Sequence, residues 1–286
     1  MRVLLLSLLL CGLVGCGGPT LLLEADPARV GGFGDDGAFG ALLFQTSERV
    51  RGDRVVDVDV VVPADDDGAA ATGPFAPVLL VQGGFATVER YHWLAQHLAS
   101  RGAVVVAPHY VADLAFFAQG NGADALAAVR ADDDFDVADD SALAVGHSLG
   151  GVVASDSFVE DEDGVSHLVL LSSVPNPSLD LSRTTGRVLS IAGGKDAKIS
   201  VDEVRDGAAG FAARTVVAVV DAATHYDFTD GASDSELAGD GESKDKAGAR
   251  RGALSLVDAM VASQHGDRDG DAFLDTPSAW PVGVHE

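Results

Sequence analysis

The sequence predicts an α/β fold, with a mostly parallel central sheet and helices on both of its faces. Two observations lead to this prediction. Short runs of apolar residues recur along the chain without polar alternation, which is typical of strands that are covered on both faces. Segments long enough for a helix separate these runs, and a chain of 286 residues is long enough for one large α/β domain.

The predicted strands are of two kinds. An early segment, residues 54–62, alternates between valines on one side and Asp57 and Asp59 on the other. This alternation predicts a half-buried strand near an edge of the sheet, with both carboxylates on its polar face. Six later runs are apolar on both faces and predict buried parallel strands at residues 78–81, 103–107, 142–145, 167–171, 188–191 and 216–220.

Helices are predicted between these strands. The segment 89–101 has apolar side chains near helical spacing, the segment 123–129 is rich in alanine, and the segment 150–159 directly follows a strand. A last helix is predicted over residues 253–263. The polar, acidic segment 230–251 before it predicts a long surface loop.

Acidic residues far outnumber basic ones. The chain has 44 Asp and Glu residues against 19 Lys and Arg residues, which gives a formal net charge of −25. Such a surface repels nucleic acid, so we expect no nucleic-acid partner. The excess of acid fits adaptation to a salty environment and equally a general bias in composition.

Residues 1–15 are predicted to be a signal peptide. Arg2 precedes the apolar run 3–10, which is too short to span a bilayer. The sequence LVGC, ending at Cys16, resembles the lipobox of bacterial lipoproteins, which implies cleavage before Cys16 and acylation of its thiol. We therefore expect an exported cell-envelope lipoprotein on the periplasmic or extracellular face, with a plain secretory signal as the alternative.

The rest of the chain is predicted to have three parts. Residues 16–32 form a lipidated tether, residues 33–264 form one α/β domain, and residues 265–286 form an acidic C-terminal tail. Cys11 and Cys16 are the only cysteines, so no disulfide remains after cleavage. We therefore expect the hydrophobic core to stabilise the domain by itself.

The stretch GHSLGG, residues 146–151, contains a candidate nucleophile, Ser148. In a G-x-S-x-G turn between a strand and a helix, the serine hydroxyl is exposed at the end of the sheet. Glycine is needed at Gly146 and Gly150, because a Cβ atom there would collide with neighbouring backbone. We predict that Ser148 is the nucleophile, and the alternative is an ordinary serine in a glycine-rich turn.

A nucleophilic serine needs a base and an acid that orients the base. On this type of sheet the order along the chain is serine, acid, histidine. His225 and Asp196 each follow a predicted strand, at the carboxyl ends where ligand sites of parallel sheets lie. We predict His225 as the base and Asp196 as the acid, and Asp221 and Asp227 are the alternative acids.

Two backbone amides are predicted to stabilise an oxyanion. One is the N–H of Leu149, which follows the nucleophile at the start of a helix. The other belongs to the turn QGGF after the strand 78–81, where the N–H of Phe85 is the candidate and that of Gly84 is the alternative.

Three residues that follow predicted strands are expected to contact substrate: Gly84, His109 and Tyr110. Phe116 and Phe117, further along the same segment, fit a substrate pocket and equally the core side of a helix.

These motifs together resemble the α/β-hydrolase superfamily, and within it the dienelactone hydrolases, the chlorophyllase-like enzymes and the cutinase-like polyester hydrolases. The resemblance implies an α/β-hydrolase fold and a carboxylic ester hydrolase that acts through an acyl-enzyme on Ser148, with Asp196 and His225 completing the triad. Dienelactone hydrolases typically carry a cysteine where this chain has Ser148, and the chain lacks the cysteines of the polyester hydrolases. The matching segments are VDVDVVVP, PVLLVQGGFATVERYHWLAQHLASRGAVVVAPHY, ALAVGHSLGG, IAGGKDAKIS and ATHYDF.

The predicted substrate is a small-molecule or lipid ester, and no cofactor is required for this chemistry. We expect a monomer that contacts the membrane through its lipid anchor. Lipase, phospholipase and thioesterase activities remain open, because one triad serves all acyl transfers. A non-catalytic binding lipoprotein with a hydrolase fold is the alternative from another class.

The predicted tail contains the segment HGDRDGDAFLDTPSAW, which resembles the calcium repeats of extracellular proteins. Carboxylates at alternate positions can surround one hard cation with oxygen ligands. We therefore predict a structural calcium loop, with a solvated acidic tail as the alternative. The candidate ligands are Asp267, Asp269, Asp271 and Asp275.

Overall fold

The structure is a computed structural model that describes residues 18–29, 32–50, 54–110, 113, 121–139, 141–160, 164–241, 243–281 and 283–286. The predicted signal peptide and Cys16 lie outside the described residues, as do Phe116 and Phe117.

One sheet forms the centre of the part of the chain that the structure describes. Its ten strands are β1 (Thr20–Leu23), β2 (Gly40–Val50), β3 (Arg54–Ala64), β4 (Ala76–Val81), β5 (Ala103–Pro108), β6 (Ala142–His147), β7 (Val165–Leu171), β8 (Arg187–Gly193), β9 (Arg214–Val220) and β10 (Val284–His285). Their order in the sheet is β1-β2-β3-β5-β4-β6-β7-β8-β9-β10. From β5 to β9 in this order all neighbours are parallel, and the outer pairs are antiparallel. The predicted fold class is confirmed.

Helices cover both faces of this sheet. Leu98 of α1 (His92–Ser100) and Leu256 of α6 (Lys246–Gln264) are fully buried against one face. Leu126 of α2 (Asn121–Arg130) and Ala154 of α3 (Leu149–Val159) are fully buried against the other. Among the described helices, none is both long enough and apolar enough to cross a membrane. The α-helices in the described residues are α1 (His92–Ser100), α2 (Asn121–Arg130), α3 (Leu149–Val159), α4 (Val201–Ala208), α5 (Asp234–Leu237), α6 (Lys246–Gln264) and α7 (Arg268–Leu274).

The strand β3 lies near one edge of the sheet, as predicted, but it is not the edge strand. It is third in the sheet and lies between β2, which the sequence analysis does not predict, and β5. Asp57 is exposed as predicted, but Asp59 has no exposed surface. The simple alternation therefore ends where β3 passes under the elements that cover the sheet.

The first and last described segments of the chain both fold onto the sheet. The predicted tether contains β1, which pairs antiparallel with β2. The predicted tail contains α7 and the buried Trp280, and it ends in β10, which pairs antiparallel with β9. The predicted surface loop 230–251 contains α5 and the first residues of α6, which begins at Lys246 rather than at residue 253.

The predicted calcium loop is instead a helix, α7. Asp267 caps its start, because the carboxylate of Asp267 accepts the N–H of Asp269 at 2.8 Å. In a helix, residues two apart point in different directions. Among the described residues, the four predicted ligands form no convergent group of carboxylates.

Two arginines form ion pairs with two of the four carboxylates that are predicted to bind calcium, Asp271 and Asp275. Arg187 on β8 donates hydrogen bonds to Asp271 and, at 2.7 Å, to Asp275. Arg214 on β9 also donates to Asp275. These ion pairs fasten α7 to the sheet, so protein side chains supply the positive charge that the sequence analysis assigned to a cation.

Candidate active site

Ser148 stands at the turn between β6 and α3. Its backbone has φ 52° and ψ −126°, a left-handed conformation that is strained for a residue with a side chain. The N–H of Ser148 donates to the carbonyl of Leu171 at 3.0 Å, and the hydroxyl of Ser173 donates to the carbonyl of Ser148 at 2.6 Å. These two bonds hold the turn, and they leave Ser148 half-buried at the carboxyl end of the sheet.

Two glycines allow the strand and the helix to approach each other at this turn. A Cβ atom on Gly146 would lie 2.5 Å from the carbonyl oxygen of Gly150. A Cβ atom on Gly150 would lie 2.3 Å from the carbonyl oxygen of Val81. Both distances are far below van der Waals contact, which confirms the predicted need for glycine at the two positions.

Ser148, His225 and Asp196 form a continuous chain of hydrogen bonds. Nε2 of His225 lies 2.9 Å from Oγ of Ser148, and Nδ1 lies 2.8 Å from Oδ2 of Asp196. The side chains of His225 and Asp196 are 6% and 0% exposed, so water has little access to the bond between them. Because Nδ1–H donates to the carboxylate, Nε2 of the neutral imidazole is free to accept the proton of the serine.

The carboxylate of Asp196 is fixed on both of its oxygens. While Oδ2 faces His225, Oδ1 accepts the N–H groups of Lys198 and Ile199 at 2.7 and 2.8 Å. Burial raises the pKa of Asp196, but the hydrogen bond with His225 and the bonds to Oδ1 outweigh it, and the pKa lies below its usual value. Asp196 is therefore an anion at neutral pH and can stabilise a positive charge on His225.

The two alternative acids have other partners. Oδ2 of Asp227 accepts the N–H of Thr224 at 2.8 Å and caps the short 3-10 helix His225–Phe228. Oδ1 of Asp221 lies 2.9 Å from Nε2 of His285. The structure therefore pairs His225 with Asp196 and with neither alternative acid.

A second hydrogen-bond chain, which the sequence analysis misses, lies beside the first. The N–H of Gly83 donates to the hydroxyl oxygen of Tyr91 at 2.9 Å, and this hydroxyl lies 2.9 Å from Nδ1 of His147. Nε2 of His147 lies 3.1 Å from the carbonyl oxygen of His225. A carbonyl only accepts, so Nε2 carries the proton and Nδ1 accepts the hydrogen of Tyr91.

This second chain requires a neutral His147. Burial, followed by the neighbouring His225, lowers the pKa of His147 to about 3. The imidazole therefore connects the glycine turn at Gly83 to the backbone of His225 without adding charge. The only signal for this role in the sequence is the place of His147 beside Ser148.

Asp240 connects the loop of the acid to the loop of the histidine. Its Oδ1 accepts the N–H of Ala197 at 2.7 Å, and its Oδ2 accepts the N–H of Tyr226 at 3.3 Å. Since these two amides directly follow Asp196 and His225, Asp240 fixes the distance between the loops. The sequence analysis misses it, because Asp240 is one of many acidic residues in the predicted surface loop.

The two predicted oxyanion donors differ in the structure. Leu149 begins α3, and its N–H has no acceptor among the described residues. The N–H of Phe85, by contrast, donates to the carbonyl of Asp113 at 2.8 Å, and the side chain of Phe85 is 74% exposed. Because this N–H already has an acceptor, the prediction that Phe85 donates to an oxyanion is corrected. The half-buried Gly84 is the remaining candidate donor in the turn.

The residues predicted to contact substrate have different surroundings in the structure. Gly84 lies on the turn after β4, as expected. Tyr110 is only 5% exposed and belongs to the same buried apolar cluster as Leu79 and Leu126, which corrects its predicted role. Nε2 of His109 lies 2.8 Å from the carboxylate of Asp59, so its ring is engaged on β3.

Comparison with known proteins agrees with this geometry. The model of the alpha/beta hydrolase family matches residues 77–246, which is more than half of the chain and includes Ser148, Asp196 and His225. The chain has no significant match among curated proteins. With its sheet order and its strained serine turn, the chain belongs to the alpha/beta hydrolase family.

Proposed function

We propose that the protein is a serine hydrolase that cleaves carboxylic esters through an acyl-enzyme on Ser148. The observation that supports this most is the hydrogen-bonded chain from Ser148 through His225 to Asp196. A hydroxyl, a neutral imidazole and a buried carboxylate in this order are the groups that acyl transfer needs.

In the proposed reaction, Nε2 of His225 takes the proton of Ser148 while Oγ attacks the ester carbonyl. Asp196 stabilises the imidazolium that forms. The N–H of Leu149 and a second donor from the turn at Gly84 bind the oxyanion, and each such donor contributes about 3 kcal/mol in comparable sites. The imidazolium then gives its proton to the leaving alcohol, and a water molecule activated by His225 hydrolyses the acyl-enzyme.

The place of action is part of the proposal. The signal-like segment 1–15 and Cys16 support an exported lipoprotein on the cell envelope. A lipid on Cys16 would lie only a few residues before β1, so the domain would sit close to the membrane surface. Lipid esters and small-molecule esters would both be accessible there, and the dienelactone hydrolase and cutinase-like groups remain the proposed relatives.

The experiment is hydrolysis of a chain-length series of p-nitrophenyl esters by the purified protein and by Ser148→Ala. We expect Ser148→Ala to lower kcat/KM by at least about a thousandfold, because the nucleophile is lost. The control is Ser182→Ala, since Ser182 is exposed and its hydroxyl donates to Asp180, outside the site. A fluorophosphonate probe should label the wild type and Ser182→Ala but not Ser148→Ala.

Two results would contradict the proposal. Wild-type activity in Ser148→Ala would show that Ser148 is not the nucleophile. A folded wild-type protein that neither hydrolyses the esters nor reacts with the probe would favour the non-catalytic binding lipoprotein.

A further inference from the structure

A second cluster of histidine and carboxylate groups lies around Asp59, which has no exposed surface. Oδ2 of Asp59 lies 2.7 Å from Nε2 of His92, at the start of α1, and Oδ1 lies 2.8 Å from Nε2 of His109, just after β5. The amide of Gln45, opposite on β2, donates to Oδ1 at 3.2 Å. Two imidazoles and one amide therefore converge on a single buried carboxylate.

Glu89 brings a second carboxylate to this cluster. One oxygen of Asp59, one oxygen of Glu89 and one ring nitrogen of His109 all lie within 4.8 Å of one another. Among the described residues, no lysine or arginine forms an ion pair with either carboxylate. Two carboxylates at this separation repel each other, and solvent screens this repulsion only weakly at Asp59, because that side chain is buried.

We propose that Asp59, Glu89 and His109 bind one divalent transition-metal ion of the zinc class. One imidazole nitrogen and two carboxylate oxygens suit such an ion, and its charge would cancel the repulsion between the carboxylates. Zinc binds these atoms at about 2.0–2.2 Å in a tetrahedral arrangement, so two ligand atoms lie about 3.3–3.6 Å apart. The exposed side chain of Glu89 can make the small movement that this requires.

His92 and Gln45 have a different part in the proposed site. Both hydrogen-bond to the carboxylate of Asp59 and would hold it in the orientation in which Oδ1 faces the ion. Outer partners of this kind orient the ligands at many metal centres. The cluster therefore has three ligands and two groups that position one of them.

The three ligands come from different elements. Asp59 lies on β3, Glu89 on the 3-10 helix Val88–Tyr91, and His109 directly after β5. A bound ion would therefore fasten the 3-10 helix Val88–Tyr91, which follows the turn at Gly83 and Gly84, to the sheet. None of the three belongs to the hydrogen-bonded chain of Ser148, so the inference is independent of the proposed ester hydrolysis.

The test is zinc binding by the protein without a histidine tag, measured by calorimetry, with any free cysteine alkylated so that no thiolate competes. We expect one zinc ion per chain. Glu89→Gln and His109→Gln should each weaken zinc binding by at least about tenfold, because each removes one ligand. Since Glu89 is exposed and His109 is half-buried, both variants should fold, which circular dichroism checks.

The matched control is His285→Gln. His285 forms a comparable pair with Asp221, at 2.9 Å, but no third ligand group accompanies this pair among the described residues. We expect zinc binding by His285→Gln to equal that of the wild type. The proposal is overturned if the wild type binds no stoichiometric zinc, or if Glu89→Gln and His109→Gln both leave the affinity unchanged.

Discussion

His97 and His147 are both buried, each 2% exposed, but their surroundings differ. Nδ1 of His97 lies 3.0 Å from the carboxylate of Asp36, and Nε2 lies 2.9 Å from that of Asp258. His147 instead faces the hydroxyl of Tyr91 and a backbone carbonyl. Both nitrogens of His97 therefore carry protons, whereas only one nitrogen of His147 does.

The neighbours, and not the extent of burial, decide the charge of these two rings. Burial lowers the pKa of both histidines and is the largest cause in each case. At His97, the bonds to Asp258 and Asp36 reverse this and raise the pKa to about 9. At His147 no carboxylate compensates in this way, and the pKa falls to about 3. The charged His97 holds α1 to α6 through Asp258. The neutral His147 adds no positive charge that would repel a protonated His225.

The largest expected effect is a loss of unfolding free energy at alkaline pH, when His97 loses its charge. Its pKa of about 9 in the folded protein exceeds the unfolded value of 6.5, so its contribution is complete below pH 6.5 and is lost as the pH rises through 9. The loss is about 3 kcal/mol of unfolding free energy. Urea unfolding from pH 6 to 9.5 should show this decline in the wild type and not in His97→Gln. Equal slopes in the two proteins would refute the assignment of a charged His97.

A smaller effect of opposite sign is expected from His147. Its folded pKa of about 3 lies below the unfolded value of 6.5, so its contribution is complete above pH 6.5 and decreases as the pH falls. The loss reaches about 2 kcal/mol at pH 5, where ordinary carboxylates have scarcely begun to titrate. His147→Gln keeps one donor and one acceptor and should not show this loss in urea unfolding. A wild type as stable at pH 5 as at pH 6.5 would argue against a neutral His147.

The smallest effect is expected from Tyr91→Phe, which removes the hydroxyl between Gly83 and His147. Two buried groups lose a partner, so the unfolding free energy should fall by about 1 kcal/mol, and kcat for ester hydrolysis should fall with little change in KM. Tyr110→Phe is the control, because the buried hydroxyl of Tyr110 has no hydrogen-bond partner among the described residues. Equal losses of unfolding free energy in the two variants would mean that the hydrogen bonds of the Tyr91 hydroxyl do not contribute to stability.

The parallel part of the sheet could be predicted because strands covered on both faces appear in a sequence as continuous apolar runs. All six predicted runs are strands, β4 to β9. The strand β2 shows no single pattern, since its first residues are buried and its second half alternates between half-buried and exposed positions. A pattern that changes within one strand gives neither the alternating nor the continuous signal.

The same reasoning explains which parts of the site could be predicted. Ser148, Asp196 and His225 each follow a strand of the parallel sheet, and parallel strands bring their carboxyl ends to one edge. The buried Asp59 instead forms hydrogen bonds with histidines that lie 33 and 50 residues away in the chain. No local pattern contains such a contact.

The calcium prediction for the carboxylates at the end of α7 is wrong for the same reason. The sequence gives the spacing between Asp271 and Asp275, but it does not show their common partner. That partner, Arg187, lies on β8, 84 and 88 residues away in the chain. A regular spacing of acidic residues fits an ion-binding loop and a helix paired with arginines equally well. Only the three-dimensional contacts distinguish the two.

The two outermost strands of the sheet are its shortest ones in the described chain: β1 has four residues and β10 has two. Unpaired N–H and C=O groups along an outer strand are where a second chain can add itself to a sheet. Strands this short offer few such groups, so neighbouring copies have little backbone through which to join. For a protein that we propose is anchored at a membrane surface, this limits association into extended β-structure.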